Sequence, residues 1–215
     1  MGRLRRGSIE SKMMDDVAPL FTRSDGEYVF ARWGRPIVPV VFGVDDATLA
    51  VFKGAIEAVV SLAGHKMDET DAELGANLMM FFCQSWDELL EVPHLDKMLP
   101  ELATLVGRLK QADANQYRIF RFDDAGAVQA AFVFLRMDDQ MAQAPADALA
   151  LSQAVQVILL WSDTAFSEMP PLAMINDQVT LRPEIADVIR AAYDPVMPVS
   201  AHDPSHALRI GARLS

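Results

Sequence analysis

The chain has 215 residues, a formal net charge of −11 and a pI near 4.7, with 51% hydrophobic and 23% charged residues. That is enough apolar material for one domain with a proper core, and the acidic balance argues against non-specific nucleic-acid binding and against an anionic membrane surface, both of which reward basic patches. A single cysteine, Cys83, excludes an intramolecular disulfide and any multi-cysteine metal site; in the apolar run NLMMFFC, with no basic neighbour, it reads as an inert buried thiol.

The opening MGRLRRGSIESKMMDD has a basic start but no apolar run behind it, so it reads as neither a signal peptide nor an anchor. Arg6 stands where a myristoylation signal wants Ser or Thr, and no apolar stretch reaches the roughly 20 residues that span a bilayer. The expectation is a cytoplasmic protein with a flexible N-terminal tail over residues 1–26, a single α+β domain over 27–200 and a C-terminal extension over 201–215.

EYVFARW and PIVPVVFG are β-rich runs separated by Gly34-Arg35-Pro36, which suits two strands joined by a turn. Pro39 marks the second as an edge strand or a bulged one. Asp45 or Asp46 can cap the next helix, ATLAVFKGAIEAVVSLAG, which ends at Gly64 and repeats its apolar residues at helical spacing, so that one face backs a sheet. ANLMMFFCQ follows as a buried strand, and Ser85 to Glu88 form a capping box. A helix is expected over Leu95 to Lys110. YRIFRF and VQAAFVFLRM are strands joined at Asp123-Asp124-Ala125-Gly126. The acidic clusters MDETDAE and SWDELLEV are solvated faces. Pro183 opens a later helix, PEIADVIRAAYD, and the remainder reads as a loop with one short helix.

The run ALALSQAVQVILLW predicts a helix over about 147–161 that is apolar nearly all round and therefore buried. Ser152, Gln153 and Gln156 are its only polar side chains from Ala148 to Trp161, at relative positions one, two and five. Around a helical turn they form one compact polar patch, which either is hydrogen-bonded inside the protein or forms the floor of a pocket. This is also the spacing of H-E-x-x-H in zinc peptidases, with none of its residue types present. Zinc needs imidazole, thiolate or carboxylate donors, and its peptidases need a glutamate to take a proton from bound water. Hydroxyl and amide groups supply neither.

From Ala150 to Pro198 the chain resembles an uncharacterised proteobacterial family with a zincin-like fold. The segments that carry the resemblance are SQAVQVILLWSD, LAMIND and VIRAAYDP, in which Gln156, Asp163, Asn176, Asp177, Tyr193, Asp194 and Pro195 match as residue types. Where the family helix carries carboxylates, this chain has Ser152 and Gln153. The resemblance implies a zincin-like core: a mixed twisted sheet with a backing helix and a buried central helix. It also implies that the chain is a degenerate member without the metal-ligand and general-base residues.

No catalytic residue, metal ligand or cofactor is therefore expected. The candidate binding residues are Ser152, Gln153, Gln156, Asp163, Asn176 and Asp177. His202 and His206, four apart, read as exposed tail residues rather than ligands, His65 as a charge at a helix end and His94 as surface loop. Asp123-Asp124 and Asp138-Asp139 read as acidic turns. The functional expectation is a non-catalytic domain that binds a peptide or protein partner in a groove beside the helix, because a sheet edge can accept an added strand without a metal. Two alternatives remain: a hydrolase with a non-standard metal or carboxylate site at Asp163, Asp177, His202 or His206, and a structural or oligomer-forming protein.

Overall fold

The computed structural model describes residues 17–214. In chain order its elements are β1 (Phe30–Ala31), β2 (Pro39–Phe42), α1 (Asp46–Leu62), β3 (Leu78–Cys83), α2 (Leu95–Met98), α3 (Leu102–Gln111), β4 (Gln116–Phe122), β5 (Val128–Arg136), α4 (Asp139–Ala142), α5 (Ala146–Ile158), β6 (Leu172–Ile175), β7 (Gln178–Leu181), α6 (Pro183–Ala192), β8 (Ser200–Ala201) and α7 (Ser205–Gly211). The fold is mixed α+β, as expected. Its centre is a four-stranded mixed sheet in the order β2-β3-β5-β4, with β4 antiparallel to β5 and the other pairs parallel. Among the described residues no helix is long and apolar enough to cross a membrane.

Both faces of the sheet are covered, so its central strands are apolar on both sides. Leu78, Met80, Ala131, Val133 and Leu135 face a core completed by α1, α5, α6 and α7. Met79, Phe81, Cys83, Phe132 and Phe134 face a second core under a 3₁₀ turn at Trp86–Glu91 and the helices α2 and α3. The Cys83 thiol is buried and its pKa is pushed up to about 11 by that burial.

Local signals set most element boundaries. Asp45 caps α1 by accepting from the Thr48 N–H at 2.7 Å. At its other end Gly64 turns left-handed, and the Gly64 and His65 N–H groups donate to the Ser61 and Val60 carbonyls, a Schellman arrangement. The expected capping box of Ser85 and Glu88 is formed. Asp123 accepts from the Ala125 and Ala127 N–H groups across the β4–β5 connection.

Several expectations are corrected. β1 and β2 do not form a hairpin: β1 pairs with β8, and β2 joins β3 in parallel at the sheet edge, with Pro39 as its first residue. The helix expected over Leu95 to Lys110 is broken at Leu99, whose backbone is driven out of helical geometry by Pro100. Residues 17–26 are not a tail, since Val17 and Phe21 are core residues and Phe21 stacks on Trp161 with ring centroids 5.4 Å apart; the expected tail over residues 1–16 lies outside the described residues. The C-terminal extension carries the expected short helix, α7, but packs it into the core: His206, Ala207 and Ile210 are buried.

The central helix ends at Ile158, short of the expected Trp161, and Leu159 instead bridges Arg32 in extended conformation. No glycine closes it. Its last carbonyls are met by aromatic donors from three separate segments. Trp161 Nε1 donates to Val155 O at 2.7 Å, Trp33 Nε1 to Val157 O at 2.8 Å and Tyr193 Oη to Ile158 O at 2.7 Å. These are groups that a helix end otherwise leaves unpaired. Tyr193→Phe keeps the ring and removes one donor, so urea unfolding should show a loss of about 1–2 kcal/mol; an unchanged stability would show that the cap contributes nothing.

His206 is 2% exposed and its Nδ1 lies 2.8 Å from the Tyr28 hydroxyl. Burial, with Arg209 nearby, holds its pKa down at about 4, against 6.5 ordinarily. The unfolded chain therefore binds the extra proton first. This contribution to stability is complete above about pH 6.5 and is lost as the pH falls to about 4, amounting to about 3 kcal/mol. Burial also lowers the His65 pKa, which acts in the same sense. Urea titrations at pH 7, 5.5 and 4 should show the native protein losing stability across this window, and His206→Gln should flatten the slope.

Candidate functional site

The three polar residues of α5 do not act as one patch. Gln153 is 1% exposed and points at the sheet. Along β4, side chains alternate between the two faces, so that Phe120 packs into the α5-side core while Tyr117 and Ile119 pack into the other. Arg118 and Gln116 share the face of Phe120. Arg118 Nη2 donates to Gln153 Oε1 at 2.6 Å and to Gln116 Oε1 at 2.8 Å, and Gln153 Nε2 donates to Gln116 Oε1 at 3.2 Å. The lone buried amide of a greasy helix is thus one half of a cradle for a guanidinium. Burial lowers the Arg118 pKa to about 10, leaving it charged at neutral pH.

Ser152 and Gln156 lie one helical turn apart and pair with each other, Gln156 Nε2 donating to Ser152 Oγ at 2.9 Å. Gln156 also lines an open groove of about 760 Å³ between β4 and the segment after α5. On the strand side the groove is bordered by Gln116, Arg118 and Phe120, and on the other by Trp161, Asp163 and Phe166. Trp161 packs between Phe21 and Phe166, which gives that wall an aromatic lining.

The groove runs along an open sheet edge. The Arg136 N–H donates to the Asn115 carbonyl, and the register places these two residues opposite one another. In an antiparallel pair, bonded residues recur every second position, so Tyr117, Ile119 and Arg121 bond to β5. The backbone N–H and C=O groups of Gln116, Arg118 and Phe120 face outward, where no strand follows among the described residues.

The other candidates lie elsewhere or serve structure. Asp163 borders the groove, but its carboxylate accepts from Ser24 N at 2.9 Å and from Ser24 Oγ, and these bonds, with Arg23 a lesser influence, hold its pKa below the usual range. Ser162 reinforces the junction, its N–H donating to Leu20 O and its hydroxyl to Pro19 O. Asn176 and Asp177 are the two central residues of the β6–β7 hairpin, both with positive φ (50° and 60°), as a type I′ turn requires. They are exposed and serve the turn.

The two C-terminal histidines do not share a site. His206 is committed to the core beside Tyr28, whereas His202 is exposed, 3.7 Å from Glu27. His206 therefore departs from the expected exposed tail. His65 Nε2 donates to the Arg35 carbonyl across 2.8 Å, and Asp138 caps α4 by accepting from the Met141 N–H. Among the described residues no three His, Cys, Asp or Glu side chains gather as a metal site.

Sequence reasoning missed Arg118, Gln116 and the aromatic wall. The available signal was an unaccompanied glutamine in an apolar helix together with an arginine between apolar residues of the preceding strand. Comparison with protein-family models, curated proteins and solved structures gives no match.

The cradle predicts non-additive energetics. Gln153→Leu leaves a half-buried guanidinium short of an acceptor and should cost about 1–3 kcal/mol. Adding Arg118→Met should restore part of that loss, because the uncompensated charge goes with it. Strictly additive losses in chemical unfolding would mean that the two side chains are energetically independent.

Proposed function

We propose that this chain is a non-catalytic, zincin-like domain that binds an extended peptide, or an extended segment of a protein partner, along the outer edge of β4. The observation that carries the reading is the row of outward backbone groups at Gln116, Arg118 and Phe120 beside the groove. Unpaired edge groups are a template for an added strand, main-chain hydrogen bonds supply its affinity, and pockets for alternate side chains supply its specificity. A segment added there would direct every second side chain toward α5, between Gln156 and the aromatic wall of Trp161 and Phe166.

The zincin-like part of the proposal draws on the resemblance over Ala150 to Pro198 and on the layout in which an antiparallel edge strand, its hairpin partner and a buried helix follow one another. The non-catalytic part rests on chemistry. The α5 positions where a zinc peptidase keeps imidazoles and a glutamate hold Ser152, Gln153 and Gln156, and the middle one is already engaged with Arg118. Asp163 and Asp177, the carboxylates of the hydrolase alternative, are engaged by Ser24 and placed in a hairpin turn.

Decapeptides selected from a random display library against the whole chain test the reading through amide hydrogen exchange. The outward amides of Gln116, Arg118 and Phe120 should exchange fast in the free protein and at least about tenfold more slowly with a selected peptide bound. Failure to select any peptide, or protection confined to other elements, would rule out strand addition at β4.

A further inference from the structure

The groove contains a positive charge that the described residues do not neutralise. Arg35, Arg136 and Arg213 each pair with an aspartate. Arg32, which is half-buried with no acid paired to it among the described residues, lies 5.3 Å from the centre of the Tyr193 ring and donates to the Met197 carbonyl. Arg118 has neither arrangement. Among the described residues its hydrogen-bond partners are the neutral oxygens of Gln116 and Gln153, no carboxylate lies within ion-pair distance, and its buried Nε has no acceptor. Amide oxygens fix the plane of a guanidinium but carry no charge to balance it. Such a cation in a partly desolvated site, in a chain of net charge −11, is a standing electrostatic demand for an anion.

We propose that the segment bound along β4 presents the carboxylate of one Asp or Glu side chain opposite Arg118, and that Arg118 pairs with it. This rests on the strand-addition reading above and gives it a specificity. The geometry is that of directly opposed residues in paired strands, whose side chains lie on the same face about 5 Å apart. The residue facing Arg118 therefore projects toward the same side of the sheet as the guanidinium. Gln116 and Gln153 hold that guanidinium in place before the ligand arrives, so little side-chain freedom is lost on pairing.

The rest of the groove limits the match to a single acid. Asp163 borders the same groove and stays ionised through its bonds to Ser24, with Arg23 close enough to influence it. A second carboxylate near Asp163 would meet like charge, as would a doubly charged phosphate. The recognised segment is accordingly an extended, largely neutral strand with one acidic position, rather than an acidic run or a phosphopeptide.

Four acetylated ten-residue peptides of alternating Thr and Val decide the matter with the full chain. Their central position is Glu, Gln or phosphoserine with an amidated end, and the fourth carries Gln with a free C-terminus. The Glu peptide should bind at least about tenfold more tightly than the amidated Gln peptide, with the preference shrinking at high salt; a gain confined to the free-carboxylate peptide would overturn the side-chain pairing. In Arg118→Gln the preference should fall to within about twofold, measured as the ratio of the two affinities in that variant. Gln153→Glu keeps Arg118 but gives it an internal acid, and should abolish the preference as well. Melting curves identify any variant that fails to fold, and the comparison on the unaltered protein stands without them. Equal binding of all the peptides, or tightest binding of the phosphoserine peptide, would overturn the carboxylate inference and leave strand addition standing. If none of the four binds, strand addition itself falls and the inference with it.

Discussion

Where α5 is enclosed no water reaches its polar groups, and much of this fold is arranged around meeting them. Its terminal carbonyls receive donors from Trp33, Trp161 and Tyr193, which come from the segment after β1, the loop after the helix and the end of α6. Its one fully buried side-chain amide, Gln153, is met from below by β4. A buried polar group left without a partner costs about 1–3 kcal/mol, so these contacts fix where four distant parts of the chain must come together. The groove is the space left between two of them.

The same arrangement explains why the site holds a charge. A carboxylate at position 153 would pair with Arg118 and close the account internally, as aspartates do for Arg136 and Arg213. An amide orients the cation and leaves its charge outstanding. The charge that Gln116 and Gln153 hold in place is one that an anion can neutralise.

What was legible in the sequence was local. Asp45 and the Schellman turn at Gly64, the capping box at Ser85, the Asp123–Gly126 connection and Pro183 at the start of α6 each carry their signal within a few residues, and each is found where the pattern placed it. Non-local pairing was not legible. EYVFARW reads as a strand, but nothing in it says that Phe30 pairs with Ala201 rather than with the strand just ahead. Polar residues at 17–26 concealed Val17 and Phe21, because a short segment with two core side chains has no period to detect. The end of α5 was misplaced for a related reason: its cap comes from remote aromatics, not from a glycine. Of the candidate site, the oddity of Gln153 was visible but its partner was not, since choosing Arg118 over Arg121 requires knowing which face of β4 looks toward the helix. The LAMIND segment held a turn whose Asn176 and Asp177 adopt left-handed backbone, a role their residue types suit well.

The wall of the groove is fastened by contacts between residues about 140 positions apart: Ser24 with Asp163, and Pro19 and Leu20 with Ser162. During synthesis β4 and β5 are complete at Arg136, whereas the wall needs the chain as far as Ser167. At about 5–20 residues per second that interval lasts about 2–6 seconds. Throughout it the nascent chain carries a strand edge not yet flanked by the groove wall, which any neighbouring extended polypeptide can join, and which is therefore a hazard of mispairing on the ribosome.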